Sequence, residues 1–260
     1  MTEFKYKDVN INSYGVLTLM DDYLDTPTRR GSNQTIPYKH GGVFVEKYYD
    51  ERSIMFGLTM KRESHADVES SLDELRKLLS PSSQGTLEMV LPNGDIRQVQ
   101  ASVDKSIQIS RPYLTVAQLV LEFELAEPFW RLSTAIADNT TVINANPTAM
   151  VVSNPGTVEE NSPTIILTGP LQNTVITNST NGYVLTYTGT IASPRVVTIS
   201  VNETGEWIAT DDLSANKIGN ITHSGGPELM KINVGDNSLS IADSTATTGT
   251  VEITFNAPYL

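Results

Sequence analysis

Val120-Leu-Glu-Phe-Glu-Leu-Ala-Glu-Pro-Phe-Trp-Arg131 is the stretch from which the rest of the chain can be read. Leu119, Leu121, Phe123 and Leu125 alternate with Val120, Glu122, Glu124 and Ala126. One face is therefore apolar and the other mostly charged, the pattern of a half-buried strand. Pro128 lacks a donor and stops the ladder. Phe129 and Trp130 follow as two large apolar side chains just past a strand end, placed to plug the base of a sandwich or to pack on a neighbouring subunit.

Working outward from this point, the composition changes. Residues 1–133 carry 15 basic and 19 acidic side chains, and residues 134–260 carry 3 and 11, for nets of −4 and −8. The second half is rich in Thr, Asn, Ser and Gly, with Arg195, Lys217 and Lys231 as its cations. Such a shift at one point predicts two domains, 1–133 and 134–260. The overall charge of −12 argues against nucleic-acid binding, which needs basic patches. The absence of cysteine excludes disulfides, thiolate metal sites and cysteine nucleophiles. No run reaches the roughly 18 apolar residues of a membrane-spanning helix, so membrane insertion is not expected. The amino terminus lacks a signal-peptide core, which points to synthesis and folding in a cytoplasm.

In the first half, strands are expected at Phe4–Asn10, Tyr14–Met20, Val43–Tyr49 and Ser53–Met60. The stretch Asp21–Gly42 has no periodicity, and a connection that long is usually functional or ordered by a partner. One helix is clear over 65–79. Val68, Leu72, Leu75 and Leu79 line one face, Ser64 with Asp67 forms a capping-box start, and Ser80-Pro81 ends it. A hairpin follows over Thr86–Leu91 and Ile96–Val103, with Asn93-Gly94 in its turn as residues suited to positive φ. The second half reads as short strands, Leu229–Ile232 among them, divided by Gly, Asn and Pro turns, which is a β-sandwich pattern.

No catalytic constellation emerges. His223-Ser224-Gly225-Gly226 lacks the G-x-S-x-G spacing. Asp21-Asp22 and Asp211-Asp212 do not fall in an EF-hand pattern. There is no P-loop and no dinucleotide fingerprint. The reading is of a protein that is not an enzyme and needs no cofactor or metal. Candidate subunit-interface residues are Arg29, Arg30, Tyr38, Lys39 and His40 in the long connection, since Arg and Tyr are enriched at interfaces, together with Asn93 and Gly94 at the hairpin tip. Trp207 either fills the second core or, if exposed, offers a platform for a sugar ring.

Four blocks in order give the chain a wider resemblance. Gly42-Val43-Phe44-Val45 precedes Asp50-Glu51-Arg52-Ser53-Ile54; the single helix follows; a hairpin then leads to a strand ending in Pro128-Phe129-Trp130-Arg131. In the second half stand Asn154-Pro155-Gly156-Thr157, Ser162-Pro163-Thr164, Asn233-Val234-Gly235-Asp236-Asn237-Ser238-Leu239 and the finish Val251–Tyr259. This order resembles the distal tail protein family of long-tailed, non-contractile bacteriophages, over essentially the whole chain. The Thr-rich region Tyr183–Thr222 matches only in strand pattern.

The resemblance implies a mainly β, two-domain fold. Its first part would be an N-terminal β-sandwich with one α-helix and a protruding hairpin, the ring-forming tail-hub domain. Its second would be a C-terminal galectin-like β-sandwich. It also implies a virion protein, assembled in the host cytoplasm and located at the phage tail tip. Six copies would close into a homohexameric ring joining the tail tube protein to the tail-tip (tail-associated) protein. Receptor-binding proteins or a host surface glycan are further candidate partners. DNA would pass through the ring without specific binding, past an acidic or neutral lumen. The Asp21–Gly42 loop and the Thr86–Val103 hairpin, the latter through exposed strand edges, are expected at inter-subunit contacts. Two alternatives stay open from the residues: a carbohydrate-binding module contacting a host cell-surface glycan, and a polysaccharide hydrolase.

Overall fold

The computed structural model describes residues 2–19, 25–36, 38, 40–43, 48–80, 84–103, 105, 107–136, 140–202, 204–226, 228–245 and 248–260. Expectations for Lys39, Asp21-Asp22, the middle of the Val43–Tyr49 strand and Pro81 lie outside these residues. The protein is mainly β, and its contacts divide it into two compact units, residues 1–133 with Leu260 and residues 134–259.

In the first unit one sheet runs in the order Val9–Asn10, Glu3–Tyr6, Gly85–Val90, Ile96–Ser102, Val116–Leu125, Arg52–Lys61, Val16–Leu19. Its two outermost strands are joined by only five residues, Ile11–Tyr14 in a 3₁₀ turn and then Gly15. Seven strands laid flat would span ~29 Å, whereas the six Cα steps from Asn10 to Val16 reach at most ~22 Å. The sheet must therefore fold over on itself into two layers. The aromatic core shows the result. Phe4 and Phe56 stand four places apart in the strand order, yet their ring centroids are 4.7 Å apart. Phe123 closes the cluster against Tyr6 at 5.1 Å and Phe56 at 5.7 Å.

Residues 120–125 belong to the fifth strand in this order. Val116–Leu125 pairs along its whole length with Arg52–Lys61, from Val116↔Lys61 to Leu125↔Arg52. Ala117, Leu119, Leu121, Phe123 and Leu125 are buried, as the alternation requires. Trp130 lies at the start of a further short strand, Trp130–Leu132, and is buried. Phe129 remains half-buried beside it.

The helix runs His65–Leu78 and buries Val68, Leu72 and Leu75. Its capping box is complete: Ser64 Oγ accepts from the Asp67 amide at 3.2 Å, and Asp67 Oδ2 accepts from the Ser64 amide at 3.2 Å. Arg76 and Lys77 in the last turn complement the helix dipole.

Three expectations are corrected in this unit. Phe4–Asn10 is not one strand, because Lys7 and Asp8 both take left-handed φ (49° and 65°) and turn the chain into a tight hairpin with Tyr6 opposite Val9. No glycine marks that turn. In the Thr86–Val103 hairpin only Gly94 has positive φ. The Gly94 amide donates to the Leu91 carbonyl at 2.9 Å, so Pro92 and Asn93 are the central residues of an ordinary turn and Gly94 takes the left-handed position after it. The strands of that hairpin are also not open edges. Gly85–Val90 pairs with Glu3–Tyr6, and Ile96–Ser102 pairs with Val116–Leu125 and Trp130–Leu132, so the ladder is filled within the chain.

The second unit is a sandwich of two five-stranded antiparallel sheets. One has the order Thr140–Val142, Thr250–Thr254, Thr164–Thr168, Val196–Val201, Trp207–Asp211. The other has Thr148–Asn154, Gly235–Ala242, Val175–Asn178, Tyr183–Tyr187, Ile221–Ser224. Ile165, Leu167, Ile199, Val251 and Ile253 from the first meet Val152, Ile176, Leu185 and Ile241 from the second as a buried core. The alternate positions face outward and carry mostly Thr, Ser and Val, which accounts for the Thr-rich composition. The expected strand at Leu229–Ile232 is absent; Ile232 makes only an isolated bridge with Glu160.

Candidate functional site

The stretch Asp21–Gly42, aperiodic in sequence, contains one limb of an arm. Arg29–Arg30 pairs with Tyr48–Tyr49 (Arg29↔Tyr49, Arg30↔Tyr48), and Gln34–Thr35 pairs with Gly42–Val43 (Gln34↔Val43, Thr35↔Gly42). Most of the described arm residues are exposed, and Tyr38 at the tip is wholly so, in a left-handed conformation. A two-stranded ribbon without a core of its own is marginal in water. This one is held at its base. Pro27 is buried, the Thr28 carbonyl accepts from the Asp50 amide at 2.8 Å, and Arg29 packs its guanidinium over the Tyr49 ring, 4.9 Å from the centroid. Arg29 Nη2 also donates to the Tyr49 hydroxyl at 2.9 Å. The Tyr49 ring then stands edge-on to Phe129, with centroids 5.3 Å apart and planes at 83°.

The candidate interface residues thus separate. Arg29 is engaged within the chain, as a positioning residue at the arm base. Arg30, Tyr38 and His40 are exposed along the arm. Asn93 and Gly94 form an exposed turn, tightened by Asn93 Nδ2 donating to Asp95 Oδ2 at 2.7 Å. The structure does not bring the turn and the arm into one paired element. A second exposed tip was missed by the sequence reading. The strand Gln108–Tyr113 pairs on one side with Val116–Leu125, and at its end Tyr113 and Leu114 are 72% and 73% exposed. The tip is fixed to the helix through Arg111 and Glu69 at 2.5 Å and through His65 Nδ1 beside the Leu114 carbonyl at 3.2 Å. The Arg111 guanidinium holds the Glu69 carboxyl below the usual carboxylate range.

In the second unit the acidic pair Asp211-Asp212 is engaged by cations. Arg195 reaches Asp211 at 3.5 Å and Asp212 at 2.8 Å, and Lys217 reaches Asp211 at 3.4 Å. Amides of Ala215 and Leu213, with Lys217, lower the Asp211 pKa against the opposing effect of burial. His223 and Ser224 are consecutive residues of an exposed strand, so their side chains leave opposite faces of the sheet and do not form a catalytic pair. Gly226 serves packing, since a Cβ there would lie 2.0 Å from the Tyr183 hydroxyl. Trp207 sits at the end of an edge strand, half-buried, with the same inward parity as buried Ala209. Among the described residues no group of three or more His, Asp or Glu side chains is placed to hold a metal ion.

The family is decided at this point by sequence. The model of the phage tail protein RIFT-related domain matches residues 10–257. The chain belongs to this family. No curated protein matches the sequence. Among solved structures the whole chain aligns with the whole of SPP1 Dit at a TM-score of 0.69 and 13% identity; that protein is described as a paradigm of hub adsorption apparatus in Gram-positive infecting phages. Chains of the phage p2 baseplate in its activated conformation align at 10% identity, over the whole of both chains, with TM-scores of 0.47 with Sr and 0.48 with Ca. The member of the tail family described here therefore has the fold of a phage hub protein.

Proposed function

We propose that this phage tail protein is the distal hub of its tail: six copies closing into a ring that joins the tail tube to the tail-tip, host-adhesion apparatus. The observation that carries the reading is the alignment with SPP1 Dit, complete over both chains in a member of the tail family. In this reading residues 1–133 form the ring and residues 134–260 form an outer, galectin-like domain. Tail-tube, tail-tip and receptor-binding proteins are its partners, the virion is its location after assembly in the host cytoplasm, and it has no enzymatic step.

The described geometry supports the division of labour. A closed ring requires two different surfaces on each subunit that meet after one rotation. The arm offers the first. Residues 26–45 carry Arg29, Arg30 and Lys39 and no acid, in a chain of net charge −12. A basic, exposed arm suits an acidic face on the next copy, and like charge elsewhere disfavours other pairings. The general negative charge also suits a channel through which DNA slides without retention.

Electron microscopy and light scattering of the purified protein test this reading. Sixfold rings at six times the mass of the chain are the expected result, and reversal of the arm charge by Arg30→Glu shifts the population towards monomers. Closed assemblies of another order, or a stable ring insensitive to loss of the arm, would remove the proposal.

A further inference from the structure

Three separate segments of the second unit converge on one open cleft of about 460 Å³, lined by Glu159, Asn181, Tyr183, Lys231, Asn233 and Val234. That volume lies within the ~300–1,000 Å³ of small-molecule sites. We propose that this cleft is a saccharide-binding site, distinct from Trp207, which belongs to the opposite sheet.

The walls are rigid for reasons that can be traced residue by residue. The first and third segments are tied by the reciprocal backbone bonds of Glu160 and Ile232, at 2.9 and 2.8 Å. The second is tied to the third by Asn178 and Asn181, whose Nδ2 groups both donate to the Lys231 carbonyl, at 2.9 and 2.8 Å. Behind them the wholly buried Asn237 accepts from the Asn233 amide at 2.9 Å and donates to the Asn233 and Gly235 carbonyls at 2.8 and 3.0 Å. Buried amides that satisfy backbone groups in this way fix a loop before any ligand arrives, which removes an ordering cost from binding.

The lining chemistry selects the ligand class. Asn233 Oδ1 accepts from Asn181 Nδ2 at 3.1 Å, which leaves the Asn233 amide donors directed away from that bond. Lys231 and Glu159 stand as an ion pair at the rim, supplying ammonium donors and carboxylate acceptors. Tyr183 lines the cleft and donates its hydroxyl to Glu228 Oε2 at 2.7 Å, and Val234 is half-exposed. Glu159 and Lys231 are the charged residues of the lining and neutralise each other, which favours neither an anionic nor a cationic ligand. Five of the six lining residues carry a polar side-chain group, which disfavours a pure hydrocarbon. Neighbouring amide, ammonium and carboxylate donors and acceptors match the vicinal hydroxyls of a neutral sugar, each of which both donates and accepts.

The test is an NMR titration of the isotope-labelled full chain with three probes: methyl β-galactoside, methyl α-glucoside and N-acetylglucosamine. Saturable shifts confined to the Asn181 and Asn233 side-chain amides and the Val234 backbone amide, with at least one probe, are expected. Asn233→Ala and Lys231→Met should each weaken that binding about tenfold, the effect of one or two lost hydrogen bonds, while leaving the thermal midpoint unchanged. Neither side chain carries the buried network, so both variants should fold. Absence of saturable shifts with all three sugars, or shifts that persist undiminished in both variants, would overturn the assignment. Ring formation read by light scattering on the same samples reports on the hub reading separately.

Discussion

Replacing Asn237 by Leu tests whether buried amides, rather than hydrophobic packing alone, hold the second unit together. Asn237 is fully buried, and its side chain accepts from the Asn233 amide and from Asn178 Nδ2. It donates to the carbonyls of Asn233 and Gly235, with a longer contact of 3.4 Å to that of Val152. Leucine has nearly the same shape, so the change adds no cavity and little strain. It strands the Asn233 amide and two carbonyls, while Asn178 keeps its bond to the Lys231 carbonyl. At about 1–1.5 kcal/mol for each stranded group, the loss is ~3–4 kcal/mol. That is a large share of the ~5–15 kcal/mol available to a domain. The chain has two tryptophans, and Trp207 is the one in the second unit, so fluorotryptophan NMR through a urea titration reads this unit by its own resonance. With a urea slope near ~2 kcal/mol/M, the Trp207 midpoint should fall by about 2 M. Asn237→Asp should fare no better, since it turns a second oxygen towards two carbonyls. A loss below about 1 kcal/mol for the Leu variant would refute the reasoning, because stranded buried groups would then be satisfied in some other way.

The folded-over sheet predicts that Gly15→Ala lowers the stability of the first unit by about 1–3 kcal/mol, since the added Cβ would lie 2.3 Å from the Thr59 carbonyl oxygen; thermal melting checks it. Phe123→Ala should cost about 3–5 kcal/mol by the same measurement, because it empties the contact of Phe123 with Tyr6 and Phe56. Asp243 gives a pH signature. Burial alone would raise its pKa, but hydrogen bonds from the Thr245 hydroxyl and amide, the Gln172 amide and the Thr174 hydroxyl bring it below the ordinary 3.8. Its contribution is therefore complete above that value and lost as pH falls through the lower folded value, and Asp243→Asn should flatten the acid limb of stability measured by urea titration at successive pH. Tyr49→Ala, which removes the ring between Arg29 and Phe129, should leave the fold intact but raise amide exchange across Arg29–Arg30 and Tyr48–Tyr49.

How far the sequence was legible depended on whether a local rule or a distant contact fixed the residue. Val116–Leu125 and the helix were readable because alternation and a capping box are local, and the structure keeps both. The Lys7-Asp8 turn was not, because nothing but the pairing of Tyr6 with Val9 marks a left-handed pair without glycine. The two-layered folding of the first sheet is a matter of strand order, which no window of sequence contains. The arm looked aperiodic because most of its described residues are exposed, so burial imposes no period of two on them. Its anchor, Phe129 in the P-F-W-R block, was visible as an aromatic past a strand end, but its partner Tyr49 lies 80 residues earlier. The cleft was hidden for a similar reason: the Asn-rich turn at Asn233–Asn237 was noticed as a motif, while its convergence with Asn181 and Glu159 depends on the Glu160–Ile232 bridge. Trp207 drew notice by residue type, and strand parity turned it inward.

The measurement closest to the central claim is a cryo-electron microscopy reconstruction of the intact phage tail with this chain traced in the density. The account predicts a single ring of six copies at the distal end of the tube, the arms between neighbouring subunits and residues 134–260 on the outside. Finding the chain repeated along the length of the tube, or in a ring of different order, would contradict it.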